Sequence, residues 1–213
     1  MNEKPRVGFL GVGWIGRHRM EAMNNAGNIQ VAAVADPVDE FRKAAIQSAP
    51  EALPCRDLDE LLRQDLDAIV IATPSALHAQ QAVAALNHGL AVFCQKPVGR
   101  NERETRQVVE AARNADRLLG VDFSYRYVKG MQKIHDLFQS GAIGRVYAAD
   151  LFFHNAYGPD KAWYYNPLEA GGGCVIDLGI HLVDMVLWCF DFPKAIRVTS
   201  RLFAEGKPMI GQN

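Results

Sequence analysis

The stretch RVGFLGVGWIG, residues 6–16, decides the fold of this chain. It begins as an apolar strand, passes through a glycine turn with the spacing G-x-G-x-x-G, and continues into a helical pattern. In such a turn the first glycine reverses the chain, the second lets the backbone approach a pyrophosphate, and the third allows close helix packing. The free N–H groups of the helix then face the phosphate. We therefore predict a dinucleotide-binding turn made of Gly11, Gly13, Trp14, Ile15 and Gly16.

The next strand supplies an acidic residue where such a turn needs one. Residues 29–36 read IQVAAVAD, so Asp36 ends the strand twenty residues after Gly16. A carboxylate there accepts hydrogen bonds from the adenosine ribose hydroxyls, whereas a 2′-phosphate would meet like charge. Pro37 follows, rather than the arginine that usually binds a 2′-phosphate. The pattern therefore favours NAD over NADP as the cofactor.

Short apolar runs and helical patterns continue to alternate as far as residue 120. The further predicted strands are 67–74, 90–97 and 117–124, and the helices between the strands are 37–48, 75–89 and 102–116. Strands and helices joined by such short connections indicate a parallel, doubly wound α/β sheet. We predict that this Rossmann arrangement occupies residues 1–121.

After Tyr125 the pattern changes, and residues 122–213 are predicted to form part of a second, α+β domain. A helix over 129–139 is followed by a predicted strand at 145–154, and another strand is predicted at 195–203. Two strands make only a marginal sheet. Because an exposed sheet edge favours association with another chain, we predict a homo-oligomer.

Several residues lie at or just after the carboxyl ends of the third and fourth predicted strands, 67–74 and 90–97. Ligands bind at the carboxyl ends of the strands in an open α/β sheet, so these residues are candidates for cofactor contacts. Lys96 precedes a proline, which holds it in an extended conformation, although a lysine considered alone is more typical of a surface position. The candidates are Thr73, Pro74, His78, Gln95 and Lys96.

Another group of polar residues lies in the apolar segment GGGCVIDLGIHLVDMVLWCF, residues 171–190. On a helix, which turns by about 100° per residue, Asp177, His181 and Asp184 fall within about 60° of one another and form a polar stripe. Ionisable groups on a buried helix are costly unless they are paired or used. The stripe therefore needs a partner elsewhere in the chain.

The composition excludes several classes of function. The 213 residues carry a formal net charge of −1, so no basic surface is expected for nucleic acid or anionic lipid. The four cysteines are scattered without a C-x-x-C pair, and we predict no metal site. No apolar run is long enough to span a membrane, and the N-terminus lacks a secretory leader. We expect a cytoplasmic protein.

Five segments together resemble the motifs of the Gfo/Idh/MocA oxidoreductases in order and approximate spacing. They are GVGWIG, the AD at 35–36, ATPSALH, QKP and GGGCVIDLGIHLVDM. That family includes glucose–fructose oxidoreductase, inositol dehydrogenases and dihydrodiol dehydrogenases. The resemblance implies a Rossmann domain followed by a domain with a large, mostly antiparallel sheet. It also implies NAD(P)-dependent hydride transfer involving a secondary alcohol of a sugar, cyclitol or related polyol.

The resemblance also assigns roles to the candidate residues. Lys96 matches the catalytic lysine of the family motif E-K-P and would bind the substrate oxygen. Asp177 and His181 match the pair D-x-x-x-H; His181 would be the general base, and Asp177 would bind a neighbouring hydroxyl or orient the site. Asp184 would support the imidazole or make a packing contact. The weaker candidates for the substrate pocket are Arg126, Trp163, Tyr164 and Asp184.

Two features depart from the family pattern and leave alternatives open. Gln95 stands where E-K-P has glutamate, so Lys96 lacks one anionic neighbour. Family members usually continue well beyond residue 213, so the second sheet is expected to be incomplete. A non-catalytic NAD-binding regulator, a truncated remnant and an NAD-dependent glycosidase of the same superfamily are therefore alternatives. The intact D-x-x-x-H pair favours the dehydrogenase.

Overall fold

A six-stranded parallel sheet forms the centre of the molecule. The structure, a computed structural model, describes residues 4–155, 165–204 and 207–208. The strands of this sheet are β1 (Arg6–Leu10), β2 (Gln30–Ala35), β3 (Leu53–Cys55), β4 (Ala68–Ile71), β5 (Ala91–Gln95) and β6 (Leu119–Asp122). Their order is β3-β2-β1-β4-β5-β6, and every neighbouring pair is parallel. The predicted doubly wound α/β fold is confirmed.

Helices cover both faces of this sheet, which explains why its strands are apolar throughout. The helices are α1 (Trp14–Asn25), α2 (Asp39–Ser48), α3 (Leu58–Leu62), α4 (Ser75–Asn87) and α5 (Glu102–Ala115). Successive side chains of a strand point to opposite faces. Accordingly, Phe9 packs with the buried Met20 of α1, whereas Leu10 belongs to the core that contains Leu86 of α4 and Val108 of α5.

The order of the strands opens a crevice at their carboxyl ends. β1 lies between β2 and β4, so the chain reverses its direction of growth across the sheet at this point. Ligands of doubly wound sheets bind at such a reversal. The glycine turn follows β1 and the turn ATPSALH follows β4. The fold therefore brings both predicted cofactor segments to one crevice.

Within the predicted Rossmann region, two short elements were not predicted, namely β3 and α3. β3 is an edge strand of three residues with Pro54 at its centre. Proline is tolerated at a sheet edge because no neighbour requires its missing N–H group. Such a short element contains too few residues to show a period of two.

The part of the chain after β6 is mainly helical where it is described. A 3-10 turn (Ser124–Tyr127) leads into α6 (Lys129–Gln139); later elements are α7 (Pro167–Ala170), a π-helical turn (Val175–Gly179), α8 (Ile180–Cys189) and a hairpin of β7 (Phe203–Ala204) and β8 (Lys207–Pro208). The predicted strand at 145–154 was wrong, and that at 195–203 was wrong except for its last residue. A strand requires a hydrogen-bonded neighbour, and the described residues offer none to 145–154 or 195–202. Among the residues that the structure describes, no helix has the length and apolar character needed to cross a membrane.

Candidate active site

One groove along the carboxyl ends of the strands contains most of the predicted site residues. It has a volume of about 970 Å³ and includes the glycine turn, the ends of β2, β4 and β5, and the two residues Asp177 and His181. The predicted cofactor residues that line it are Gly11, Gly13, Trp14, Ile15, Asp36, Thr73, Pro74, His78, Gln95 and Lys96. Gly16 lies outside the lining because it packs against the turn itself.

The three motif glycines meet different steric demands. Gly11 has a φ of 80°, in the left-handed region, and a Cβ there would lie 2.8 Å from the backbone of Ala72. A Cβ on Gly16 would lie 1.8 Å from the carbonyl oxygen of Gly11. A Cβ on Gly13 would meet nothing closer than the Phe41 ring, at 3.7 Å. The fold therefore requires Gly11 and Gly16, whereas Gly13 keeps space free in the groove.

The beginning of α1 supplies the donors that a phosphate needs. The helix starts at Trp14, and Gly13 before it has no side chain that could cap the N–H groups of the first turn. Those groups are available to an anion, and the positive end of the helix dipole favours one. Together with the space beside Gly13, they fit the pyrophosphate of a dinucleotide.

Asp36 is buried and held next to the glycine turn. Its Oδ2 accepts a hydrogen bond from the Val12 N–H and its Oδ1 accepts one from the Val38 N–H, both at 2.9 Å. A carboxylate has about four acceptor positions, so capacity remains for the hydroxyls of a ribose. Two arginines that the sequence patterns did not single out lie nearby: Arg42 donates to the carbonyl oxygen of Asp36, and Arg56 lines the groove after β3.

Lys96 and Asp177, 81 residues apart in sequence, meet in the groove. The Lys96 ammonium donates to the backbone oxygen of Asp177 at 2.7 Å and to its Oδ1 at 2.6 Å. Asp177 lies in the π-helical turn, an element that often marks functional sites. The lysine is therefore held by an ion pair at the carboxyl end of β5, and both side chains are largely enclosed.

His181 is buried beside this ion pair. Its ring lies 4.5 Å from that of Tyr125, centroid to centroid, and its Nδ1 is enclosed without a hydrogen-bond partner among the described residues. Burial lowers the pKa of His181 below its ordinary value, and the positive charge of Lys96 lowers the pKa further. The imidazole is therefore neutral near pH 7 and can accept a proton.

Asp184, the third member of the polar stripe, has a different partner. Its carboxylate binds Arg126, whose Nε donates to Oδ2 at 2.8 Å, and this hydrogen bond raises the pKa of the Arg126 guanidinium. The guanidinium also stacks on Phe123 and Phe192, 5.2 and 5.3 Å from the ring centroids. The hydrogen bonds of the Asp184 carboxylate thus go to Arg126, and the prediction that Asp184 supports the imidazole or makes a packing contact stays a prediction. Neither Asp184 nor Arg126 is among the residues that line the groove, and each balances the charge of the other.

His78 lines the groove, but its ring nitrogens are occupied by the backbone. Nδ1 lies 2.7 Å from the carbonyl oxygen of Pro97, and Nε2 lies 2.6 Å from that of Thr73. The Thr73 hydroxyl in turn donates to Gln81 at 2.5 Å. His78 therefore connects the turns after β4 and β5, and it offers no free nitrogen to a cofactor. The prediction that His78 contacts the cofactor stays a prediction, since the residue lines the groove and its ring holds the two turns in place.

Among the groove residues that were not predicted, Arg19, Asp122 and Tyr125 carry polar groups close to the predicted site. Asp122 ends β6, beside Gln95 at the end of β5, and accepts hydrogen bonds from Gln95 and Arg19. The rule that ligands bind at the carboxyl ends of parallel strands selected Thr73, and it could have selected Asp122 in the same way. For Arg19 and Tyr125, which lie on helical turns, the sequence contained no comparable signal.

Two further expectations concern other parts of the chain. Trp163 and Tyr164, predicted with lower weight for the substrate pocket, lie outside the described residues. The four cysteines are free thiols. Within the described ranges, no cluster of three or more histidine, cysteine or carboxylate side chains could hold a metal ion.

Two family models match this chain. Residues 5–123 match the Gfo/Idh/MocA model described as an oxidoreductase family with an NAD-binding Rossmann fold. Residues 131–209 match the model of a Gfo/Idh/MocA C-terminal domain.

Individual relatives cover most of this chain but only part of their own length. The rhizopine catabolism protein MocA of Rhizobium meliloti is 26% identical over 183 residues, 86% of this chain and 56% of the relative. An inositol 2-dehydrogenase of Salmonella paratyphi B is 30% identical over 188 residues, 86% of this chain and 54% of the relative. The crystal structure of GenD2 from gentamicin A biosynthesis, in complex with NAD, has a TM-score of 0.80 at 25% identity and covers 91% of this chain and 55% of its own. The chain thus spans about half the length of the curated relatives it matches.

The first of the two family models matches more than half of the residues of this chain. The chain therefore belongs to the Gfo/Idh/MocA family of oxidoreductases, whose N-terminal part is an NAD-binding Rossmann fold.

Proposed function

We propose that this chain carries the cofactor site and the principal catalytic residues of an NAD-dependent dehydrogenase. Its substrate would be a secondary alcohol of a sugar, cyclitol or related polyol, and one relative is named as an inositol dehydrogenase. The observation that carries the proposal is one groove that joins the glycine turn and Asp36 to Lys96, Asp177 and His181. A dinucleotide-binding segment and a proton acceptor in one groove suit hydride transfer coupled to proton transfer.

His181 is the general base in this proposal. Its lowered pKa keeps the imidazole neutral at neutral pH, so it can remove the hydroxyl proton as the carbon–hydrogen bond breaks.

Lys96 binds the substrate oxygen. An ammonium group has three N–H donors, and Asp177 accepts two of them through its backbone and side-chain oxygens. The third donor remains for the substrate, where it stabilises negative charge that develops on the oxygen. In this proposal Asp177 positions the lysine rather than binding the substrate.

The glycine turn and Asp36 would hold NAD, which when bound supplies the nicotinamide carbon that accepts the hydride. Asp36 favours NAD over NADP because its buried carboxylate would repel a 2′-phosphate. Arg42 does not reverse this preference, since its guanidinium is engaged by the Asp36 carbonyl oxygen and by Asp39. Within the same proposal, residues 1–121 form the cofactor domain, and residues 122–213 form part of a domain for substrate binding and oligomerisation. The protein would be a cytoplasmic homo-oligomer.

A dehydrogenase screen tests the proposal. The full chain is incubated with NAD and a panel of inositols and sugars, and NADH formation is followed by absorbance. We expect turnover of at least one polyol and a decrease in kcat of about 10²–10⁴-fold in His181→Asn, the usual contribution of a general base. The affinity for NAD should stay unchanged in that variant. Lys96→Met should lower kcat/KM for the same polyol.

Arg106→Ala is the matched control, since this residue forms an exposed ion pair with Glu102 outside the groove. Turnover that is equal in the wild type, His181→Asn and Lys96→Met would contradict the assigned roles. Tight NAD binding without turnover of any polyol would contradict the dehydrogenase and favour a regulator.

A further inference from the structure

A buried carboxylate stands beside the position where this chain departs from the family motif. Gln95 and Asp122 are register partners at the ends of the neighbouring strands β5 and β6. Both side chains are buried, and both line the groove. The acidic group that is absent from position 95 is therefore present one strand away.

The hydrogen bonds of Asp122 determine how Gln95 is oriented. Asp122 Oδ2 accepts from Gln95 Nε2 and from Arg19 Nε, each at 2.5 Å. Only the nitrogen of a carboxamide can donate to a carboxylate, so this contact sets which end of the Gln95 amide faces Asp122. The opposite atom, Oε1, accepts no hydrogen bond from the described residues and is not enclosed.

The charges explain why glutamine suits position 95 here. A glutamate at this position would face Asp122 across a hydrogen-bonding distance, and two carboxylates so close repel each other. With glutamine, the negative charge lies on Asp122, where Arg19 balances it. The groove then receives a neutral acceptor atom on β5, next in the chain to Lys96.

We propose that Asp122 is a positioning residue of this site, which together with Arg19 fixes Gln95 so that its amide oxygen accepts a hydrogen bond from the ligand beside Lys96. The ligand group is an N–H or O–H donor, either the carboxamide of the nicotinamide or a hydroxyl of the polyol. The identity of that ligand rests on the proposed function; the orientation of Gln95 does not.

A charge-swap experiment tests this inference. The variants are Gln95→Glu, Asp122→Asn and the double variant, each prepared as the full chain, with Asp65→Asn as an exposed aspartate control. Calorimetry measures the affinity for NAD and for ADP-ribose, which lacks the nicotinamide, and steady-state kinetics measures KM for the polyol. Thermal unfolding identifies any variant that does not fold.

We expect Gln95→Glu to weaken binding of the ligand that uses Oε1 by at least about tenfold, since the glutamate is repelled by Asp122 and its carboxylate leaves the position in which the amide oxygen accepts from the ligand. Asp122→Asn should weaken binding of the same ligand when position 95 is glutamine, but it should restore that binding in the Gln95→Glu variant. In the double variant the carboxamide introduced at position 122 can donate to the glutamate carboxylate, and an acceptor again faces the groove. A loss for NAD that spares ADP-ribose supports the nicotinamide as the donor, and a change in KM alone supports the polyol.

Two results would overturn the inference. One is that the effects of the two substitutions on ligand affinity or KM add, so that the double variant shows no rescue. The other is an equal loss for NAD and ADP-ribose with an unchanged KM, which would show that Asp122 only braces β6 against α1. Because the binding measurements need no turnover, they test the nicotinamide as the donor even if the screen finds no substrate.

Discussion

Burial and a neighbouring cation act in the same direction on His181. Desolvation disfavours the imidazolium form and Lys96 repels it, so the pKa of His181 falls below its ordinary value of 6.5, although Asp177 and Asp184 oppose the shift. The site therefore contains a lysine that is charged and a histidine that is neutral at the same pH. That combination is the one needed for a donor to the substrate oxygen and an acceptor of its proton.

The lowered pKa leads to a prediction about pH. For alcohol oxidation, kcat/KM should fall on the acid side with a midpoint below 6.5, since only the neutral imidazole accepts a proton and protonation begins as the pH falls through the lowered pKa. Titration of the His181 ring by NMR should give the same midpoint. In Lys96→Met that midpoint should move upward, because the cation is removed. An acid limb at or above the ordinary histidine value would contradict this account.

At the scale of the element, the glycine turn combines two separable requirements. Gly16 is needed for packing, because its Cβ would lie 1.8 Å from the carbonyl oxygen of Gly11, whereas a Cβ on Gly13 would clash with no neighbour. Helix packing and phosphate binding can therefore be tested independently.

Gly16→Ala should lower the free energy of unfolding by about 3 kcal/mol or more, as overpacking against rigid backbone does. Gly13→Ala should leave stability nearly unchanged, because its φ of −62° suits any residue, but it should weaken NAD binding by filling space beside the phosphate. Urea denaturation and calorimetry measure the two effects. Equal stability losses in the two variants would show that the turn has one requirement only.

The ion pair between Arg126 and Asp184 joins two further elements, the 3-10 turn after β6 and α8. Asp184→Asn should lower the free energy of unfolding by about 1–3 kcal/mol, because it leaves a partly buried guanidinium without its counter-charge. The exposed pair of Glu102 and Arg106 provides the control; Glu102→Gln should leave unfolding unchanged within error. A decrease of the same size in both variants would argue against a specific structural role.

At the scale of the whole molecule, apolar side chains outside the sheet remain exposed. Ile196, Val198 and Phe152 are 98%, 84% and 77% exposed, and they lie in segments that were predicted to be strands. Exposed apolar segments of this kind favour association.

We therefore predict a dimer or larger oligomer in solution. Light scattering and sedimentation should show a mass above that of one chain, which decreases on dilution. The double variant Ile196→Lys and Val198→Lys should shift the equilibrium toward the monomer, whereas the surface variant Lys43→Ala should not. A compact monomer at all concentrations would contradict the prediction.

The sequence by itself determined the features that depend on local spacing. The alternation of apolar runs and helices predicted the parallel sheet, and the interval from Gly16 to Asp36 predicted the dinucleotide turn and its acid. The prediction of the sheet succeeded because strand periodicity acts over a few residues, and the structure places Asp36 beside the turn, where it accepts a hydrogen bond from the Val12 N–H. The carboxyl-end rule also placed Lys96 at the groove, since every parallel strand ends at the same edge.

Only the tertiary structure decided which side chains meet. Helical spacing placed Asp177, His181 and Asp184 on one stripe, yet Asp177 binds Lys96, 81 residues away, and Asp184 binds Arg126, 58 residues away. The spacing along one helix contains no information about the elements that pack against it. For the same reason the predicted strand at 145–154 did not form: a strand depends on a hydrogen-bonded partner as well as on its own pattern.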